Sequence, residues 1–104
     1  MAAYVYLLKC SNNSLYCGWT NNPEHRLQVH NAGKGSRYTK AHLPVEMVYL
    51  EEMQSKNAAL SREFQIKHLT KVQKLELIDS ELNLLKRGGL NGVSRSGNGR
   101  DLGM

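Results

Sequence analysis

Hydrophobic and polar positions along the chain group into short runs whose periods define a small set of elements. Tyr4–Cys10 (YVYLLKC) and Leu15–Thr20 (LYCGWT) concentrate aromatic, β-branched and aliphatic residues, and Ser11-Asn12-Asn13-Ser14 between them is a cluster of turn formers. Together they read as a β-hairpin. Asn22-Pro23-Glu24 then opens a helix, with Asn as N-cap, Pro at the first helical position and Glu in the first turn. That helix runs to about Asn31 and stops before Gly33, and Gly33-Lys34-Gly35-Ser36 reads as a flexible loop. Pro44 precedes a third strand, Val45–Glu51, and Ser55 caps a second helix through about Leu69. Thr70 and Gln73 fit a capping box for a third helix, whose apolar positions Val72, Leu75, Ile78, Leu82 and Leu85 keep helical spacing. From Gly88 onward the Gly, Ser and Asn content offers nothing to pack, so residues 88–104 are expected to be a disordered basic tail after a domain of residues 1–87. The order β-β-α-β-α-α implies an α+β (mixed α/β) fold, a small three-stranded sheet with helices packed on it.

Composition narrows the class. A chain of 104 residues has room for one domain and a modest core. No apolar run approaches the roughly 18 residues of a membrane span, and Met1-Ala2-Ala3-Tyr4 leads straight into a strand pattern with no secretory signal, so a cytoplasmic protein without a membrane partner is expected. Two cysteines, Cys10 and Cys17, are too few for a disulfide framework and have no second pair nearby for zinc; they read as reduced thiols on the hairpin. The net charge is +5, but Lys86, Arg87, Arg95 and Arg100 against Asp101 hold +3 of it, leaving +2 for residues 1–85. More telling is His25–Val45, which has no acid and carries Arg26, Lys34, Arg37 and Lys40 beside three histidines, a plausible phosphate-facing patch.

Three groups of residues stand in fixed order on these elements: Tyr4-Val5-Tyr6, then Tyr16-Cys17-Gly18, then Arg26 and His30 on the following helix. They resemble the GIY-YIG nuclease motif, with Tyr4 in place of its leading Gly and Cys17 at its Ile position. Gly33-Lys34-Gly35-Ser36-Arg37-Tyr38-Thr39 and Ala59-Leu60-Ser61-Arg62-Glu63 resemble further pieces of the small stand-alone, URI-type members of that superfamily. The resemblance covers about Tyr4 to Leu69. It implies a metal-dependent endonuclease that hydrolyses phosphodiester bonds in DNA, in keeping with repair or recombination, and it leaves RNA open as a substrate.

The same resemblance implies roles for particular residues. Tyr6 or Tyr16 would orient or deprotonate the attacking water. A phenol with a pKa near ~10 needs a neighbouring cation for that, and Arg26 is the candidate. The Arg26 fork could also brace a phosphate oxygen, and His30, four residues on, shares its helix face. Tyr6 and Tyr16 meet only if they share a sheet face. A two-residue Asn12-Asn13 turn would pair Cys10 with Leu15 and separate them, so an odd loop such as Ser11–Asn13 is expected. Gly18 gives close backbone approach or room for a neighbouring tyrosine. Glu63 falls among Ala59, Leu60 and Ile66 on a helical wheel, where an unpaired carboxylate is costly. A single Mg²⁺ or Mn²⁺ ion, weakly held without DNA, would compensate, with Glu63 its one protein ligand. Lys34, Arg37, Tyr38 and Lys40 would contact the flanking phosphates.

Each residue taken alone has a plainer reading. Tyrosines belong in strands, Arg26 and His30 fit a solvated helix face, Trp19 fits a core, and Glu63 fits an i,i+4 pair with Lys67. The joint occurrence in order outweighs these. Gly33-Lys34-Gly35-Ser36 lacks Walker spacing, so no NTP site is expected. Two rivals stay open: a non-catalytic nucleic-acid-binding module of the same fold, and an interaction domain that docks through its basic tail. A monomer is the default.

Overall fold

A computed structural model describes residues 2–87. The tail read as disordered, residues 88–104, lies outside the described residues. The elements are β1 (Ala3–Lys9), β2 (Leu15–Thr20), α1 (Pro23–Asn31), α2 (Arg37–Lys40), β3 (Glu46–Met53), α3 (Lys56–Lys67), α4 (Lys71–Ile78) and α5 (Leu84–Arg87). The expected α+β fold is present, with two short helices, α2 and α5, that the pattern of the chain did not announce.

The sheet is antiparallel with strand order β2-β1-β3, so β1 is central. The hairpin takes the odd loop. Leu8 pairs with Tyr16 and Tyr6 with Gly18, leaving Ser11–Asn13 as the turn. Asn13 adopts φ 67°, a left-handed conformation that asparagine tolerates better than most residues. Asn12 Oδ1 locks the turn by accepting from the Ser14 backbone N–H (3.2 Å) and hydroxyl (2.6 Å).

Alternation then sorts the strands into two buried faces. Ala3, Val5, Leu7, Cys17 and Tyr49 face α3, where Ala59 and Ile66 complete the cluster. Tyr6, Leu8, Cys10 and Val45 face the other way, joined by Leu27 of α1 and by Tyr16. Val5, Leu7, Leu8 and Ile66 are fully buried, each contributing about 1.5–3 kcal/mol of apolar transfer free energy. Both cysteines are free and buried.

α1 begins as its sequence dictates: Asn22 accepts from the His25 N–H at 3.1 Å and Pro23 follows. It ends where Gly33 turns to φ +77°. Asn31 then clamps both backbone groups of Val45, donating to its carbonyl (3.0 Å) and accepting from its N–H (2.8 Å). Ser36 caps α2 by accepting from the Thr39 N–H. The capping box of Thr70 and Gln73 is formed.

The long third helix is not. The chain leaves the helix after Ile78, where the Ser80 hydroxyl and N–H both bond to the Leu77 carbonyl, and resumes only at Leu84. Side-chain bonding of this kind competes with the helical ladder. Of the apolar positions expected to keep helical spacing, Val72, Leu75, Leu82 and Leu85 are 41–65% exposed and only Ile78 packs on the core, joined there by Leu77, which was not among them. Breaking the helix lets buried Asn83 reach the outer strand β3, where it accepts from the Leu50 N–H (3.2 Å) and donates to the Val48 carbonyl (2.9 Å). Val48 sits where the register with β1 shifts, so Asn83 satisfies backbone groups that an irregular edge would leave open. Among the described residues, no helix is long and apolar enough to cross a membrane.

Candidate active site

A cleft of about 500 Å³ opens on the Tyr6 face of the hairpin, against α1 and the loop that leads to α2. Tyr6, Tyr16, Gly18, Arg26, His30, Lys34 and Glu63, seven residues picked out on sequence grounds, all line it. Glu63 comes from α3, which packs under the opposite face of the sheet, and reaches the cleft past the outer strand β2. Arg37, Tyr38 and Lys40 lie on α2 outside the cleft lining. The Tyr38 hydroxyl donates to Ser14 Oγ at 2.6 Å and accepts from Asn12, which staples α2 to the hairpin turn.

Tyr6 sits opposite Gly18 and lies across it. A Cβ on Gly18 would fall 2.5 Å from the Tyr6 hydroxyl oxygen, so only glycine leaves space for the ring. The hydroxyl is 3.1 Å from His30 Nε2, and both residues are buried. Burial pushes the Tyr6 phenol well above its usual range, with Tyr16 adding to the shift and Arg26 opposing it. The expectation that Arg26 would favour a phenolate therefore fails at Tyr6, because desolvation outweighs the cation.

His30 is held below the usual histidine range, first by burial and then by Arg26, and is a neutral imidazole at pH 7. Its Nδ1 lies 2.8 Å from Thr39 Oγ1, and the Tyr16 ring meets it edge-on at 5.5 Å between centroids. Gly35 closes the other side: a Cβ there would sit 2.1 Å from Nδ1. Thr39 and Gly35 stand in the sequence only as members of the stretch from Gly33 to Thr39, which assigned neither of them a role. Thr39 is a fully buried hydroxyl in an otherwise polar stretch, three residues after Ser36, which caps α2.

Arg26 is half-buried, and its Nε is buried with no hydrogen-bond partner among the described residues. An unsatisfied donor on a cation is costly, and an anionic oxygen in the cleft would satisfy it. Glu63 lies between the buried Ala59 and Ile66, with its side chain 17% exposed; Leu60, expected on the same face, is 40% exposed. Its one ionic neighbour among the described residues is Lys67 Nζ at 4.0 Å, itself mostly exposed, which makes a weak pair.

No group of three or more His, Cys, Asp or Glu that could hold a metal occurs among the described residues. Among the described residues, Glu63 is the one carboxylate on the cleft wall. A single hard oxygen donor beside a phosphate-sized anion site fits Mg²⁺ or Mn²⁺, which keep most of their water and take the rest of their shell from substrate. It does not fit zinc, which wants three or four protein ligands.

Comparison with known proteins shows the family and the fold. The family model described as the GIY-YIG catalytic domain matches residues 2–76. A UPF0213 protein of Clostridium perfringens is 54% identical over 75% of this chain and 84% of its own length. One of Staphylococcus haemolyticus is 51% identical over 73% and 93%. The solution structure of a UPF0213 protein from Bacillus halodurans is 34% identical, covers 79% of this chain and 87% of its own, and superposes with a TM-score of 0.52. A protein of E. faecalis, also solved in solution, gives 33% identity, 91% and 94% coverage, and the same TM-score. With its motif residues gathered on one cleft and these relatives along most of its length, the chain belongs to the GIY-YIG catalytic-domain family.

Proposed function

We propose that the cleft hydrolyses phosphodiester bonds in DNA as a Mg²⁺- or Mn²⁺-dependent endonuclease. The observation that carries this reading is the meeting of two tyrosines, an arginine with an unpartnered buried Nε, a neutral histidine and a single carboxylate on one cleft wall. Phosphodiester hydrolysis needs an oriented water, a proton acceptor and charge stabilisation on the phosphoryl oxygens. Arg26 supplies the last, since its free Nε and planar fork suit a phosphate oxygen. Burial keeps the Tyr6 proton in place, so Tyr6 orients the water, and Tyr16, as a phenolate that has released its own proton to solvent, is the group left to take the proton from the water. Glu63 would hold the ion, which when bound stabilises charge on the phosphoryl and leaving oxygens. Lys34 on the wall, and Arg37, Tyr38 and Lys40 along α2, contact the flanking phosphates.

The contact of Lys67 with Glu63 favours a second reading, a DNA-binding module that does not cut, because a lysine on the carboxylate competes with an ion. Incubating the protein with nicked, branched, single-stranded and supercoiled DNA, and with RNA, in Mg²⁺ or Mn²⁺ separates the two. Cleavage that chelator abolishes is expected, and a preference for branched or nicked DNA would place it in repair or recombination. Salt-sensitive binding that chelator does not affect, with no cleavage under any metal, would establish the second reading.

A further inference from the structure

Four polar groups form a continuous line along the cleft wall, three buried side chains and the carbonyl of half-buried Ser36. Tyr6 Oη lies 3.1 Å from His30 Nε2, His30 Nδ1 lies 2.8 Å from Thr39 Oγ1, and Thr39 Oγ1 lies 3.2 Å from the Ser36 carbonyl oxygen. Tyr6 is 3% exposed, His30 2% and Thr39 0%. Such a line has a direction only if one end is fixed, and the Ser36 carbonyl, which can only accept, offers such an end. A carbonyl accepts and never donates, so the bond to Ser36 takes the single hydroxyl proton of Thr39, for which Ser36 Oγ at 3.0 Å and His30 Nδ1 at 2.8 Å are the other partners. With the proton in the Ser36 bond, Thr39 faces His30 as an acceptor and Nδ1 carries a proton. A neutral imidazole has one N–H, which leaves Nε2 bare and makes it the acceptor of the Tyr6 O–H.

We infer that Thr39 is a positioning residue that fixes His30 as its Nδ1–H tautomer and thereby turns the Tyr6 oxygen toward the cleft as a hydrogen-bond acceptor. The functional half of this inference rests on the nuclease reading: an oxygen that accepts from water aims the water's own lone pair away from itself and toward the phosphorus. In the opposite tautomer, Nε2–H would donate to Tyr6, whose proton would then project into the cleft and compete for the phosphate instead.

The local structure serves this placement. Ser36 caps α2 through its bond to the Thr39 N–H at 3.1 Å, so a four-residue helix too short to stand by propensity fixes one threonine. Gly35 approaches the imidazole so closely that no larger residue fits beside Nδ1, which holds the ring against Thr39. A plain structural role for Thr39 would require only that its hydroxyl be satisfied, and Ser36 alone does that, through its carbonyl and through Oγ at 3.0 Å.

The test is a nitrogen-15 NMR measurement of the His30 ring in histidine-labelled full-length protein, its signals identified by their loss in His30→Gln. The expected result is a protonated Nδ1 and an unprotonated Nε2 at pH 7. Thr39→Val, which keeps the shape and removes the oxygen, is expected to move the proton to Nε2 or to mix the tautomers. Thr39→Ser is expected to restore the wild-type pattern. In cleavage assays, Thr39→Val is expected to lose roughly tenfold or more in kcat with little change in DNA affinity, and Thr39→Ser to recover most of it. An Nε2–H tautomer in the unaltered protein overturns the inference outright, whether or not the valine variant folds. So does an unchanged Nδ1–H pattern in a folded Thr39→Val. The tautomer is read without any turnover, so a protein that shows the Nδ1–H form yet cuts nothing contradicts the nuclease reading alone.

Discussion

Gly18 and Tyr6 illustrate how a single residue's lack of a side chain shapes the cleft. The Tyr6 hydroxyl stands where a Gly18 Cβ would be, so Gly18→Ala must push the phenol away from His30 Nε2. We expect Gly18→Ala to remain folded but to lose most cleavage, and a crystal structure or the His30 NMR signals to report the broken contact; full activity with Tyr6 displaced would contradict its role. The pH dependence follows from the neutral His30. Its folded pKa lies below the usual value near ~6.5, so between the two pKa values the unfolded chain binds the extra proton more readily. Stability is therefore complete above ~6.5 and declines as pH falls below it, and cleavage should show its acid limb below ~6.5 as well. A denaturant series and a rate profile from pH 5 to 8 check both, and a limb centred above ~6.5 would count against the assignment. Tyr6, Tyr16, Gly18, Arg26 and His30 were legible because the motif order names them and the hairpin parity places both tyrosines on one face. Thr39 was not, since its importance comes from burial against His30, a contact nine residues away that no local pattern records.

Among the elements, those with strong start signals were read within a residue or two. Asn22-Pro23 opens α1, Ser55 caps α3, and the Thr70 and Gln73 box opens α4. The end of α4 and the short helices α2 and α5 escaped. The apolar spacing from Val72 to Leu85 is helical in period, yet what ends α4 is tertiary: the edge of β3 needs Asn83, and a continuous helix could not deliver it. The amide also accepts from the Leu85 N–H and donates to the Ile78 carbonyl, so it joins α4, α5 and β3 at one point. Replacing it with Leu leaves several buried backbone groups without partners, each worth about 1–3 kcal/mol. Asn83→Leu is expected to lower the unfolding free energy by at least about 2 kcal/mol in urea titration, with DNA affinity unchanged wherever the protein is folded. A loss under 0.5 kcal/mol, on the order of a neutral surface change, would show that the edge does not depend on it.

At the scale of the whole molecule, cations and cleft are arranged asymmetrically. The acid-free segment His25–Val45 forms α1, the loop and α2, and so lays Lys34 on the cleft wall with Arg37 and Lys40 on the helix beyond it. If these three contact phosphates, the slope of log affinity against log salt falls by about 0.9 for each one replaced by Gln on duplex DNA, roughly equally for all sequences. An unchanged slope in the triple variant would move the binding surface elsewhere. The central claim concerns Glu63, which the fold carries around the sheet to face two tyrosines and an arginine. The most direct measurement compares wild type with Glu63→Gln, scoring both the cleavage rate of one labelled DNA in Mg²⁺ and the affinity for the same DNA. The account predicts that the variant binds DNA as well as wild type and cuts at least a hundredfold more slowly, as chelator makes the wild type do. Equal cleavage by both proteins, or none by either alongside equal binding, would contradict it.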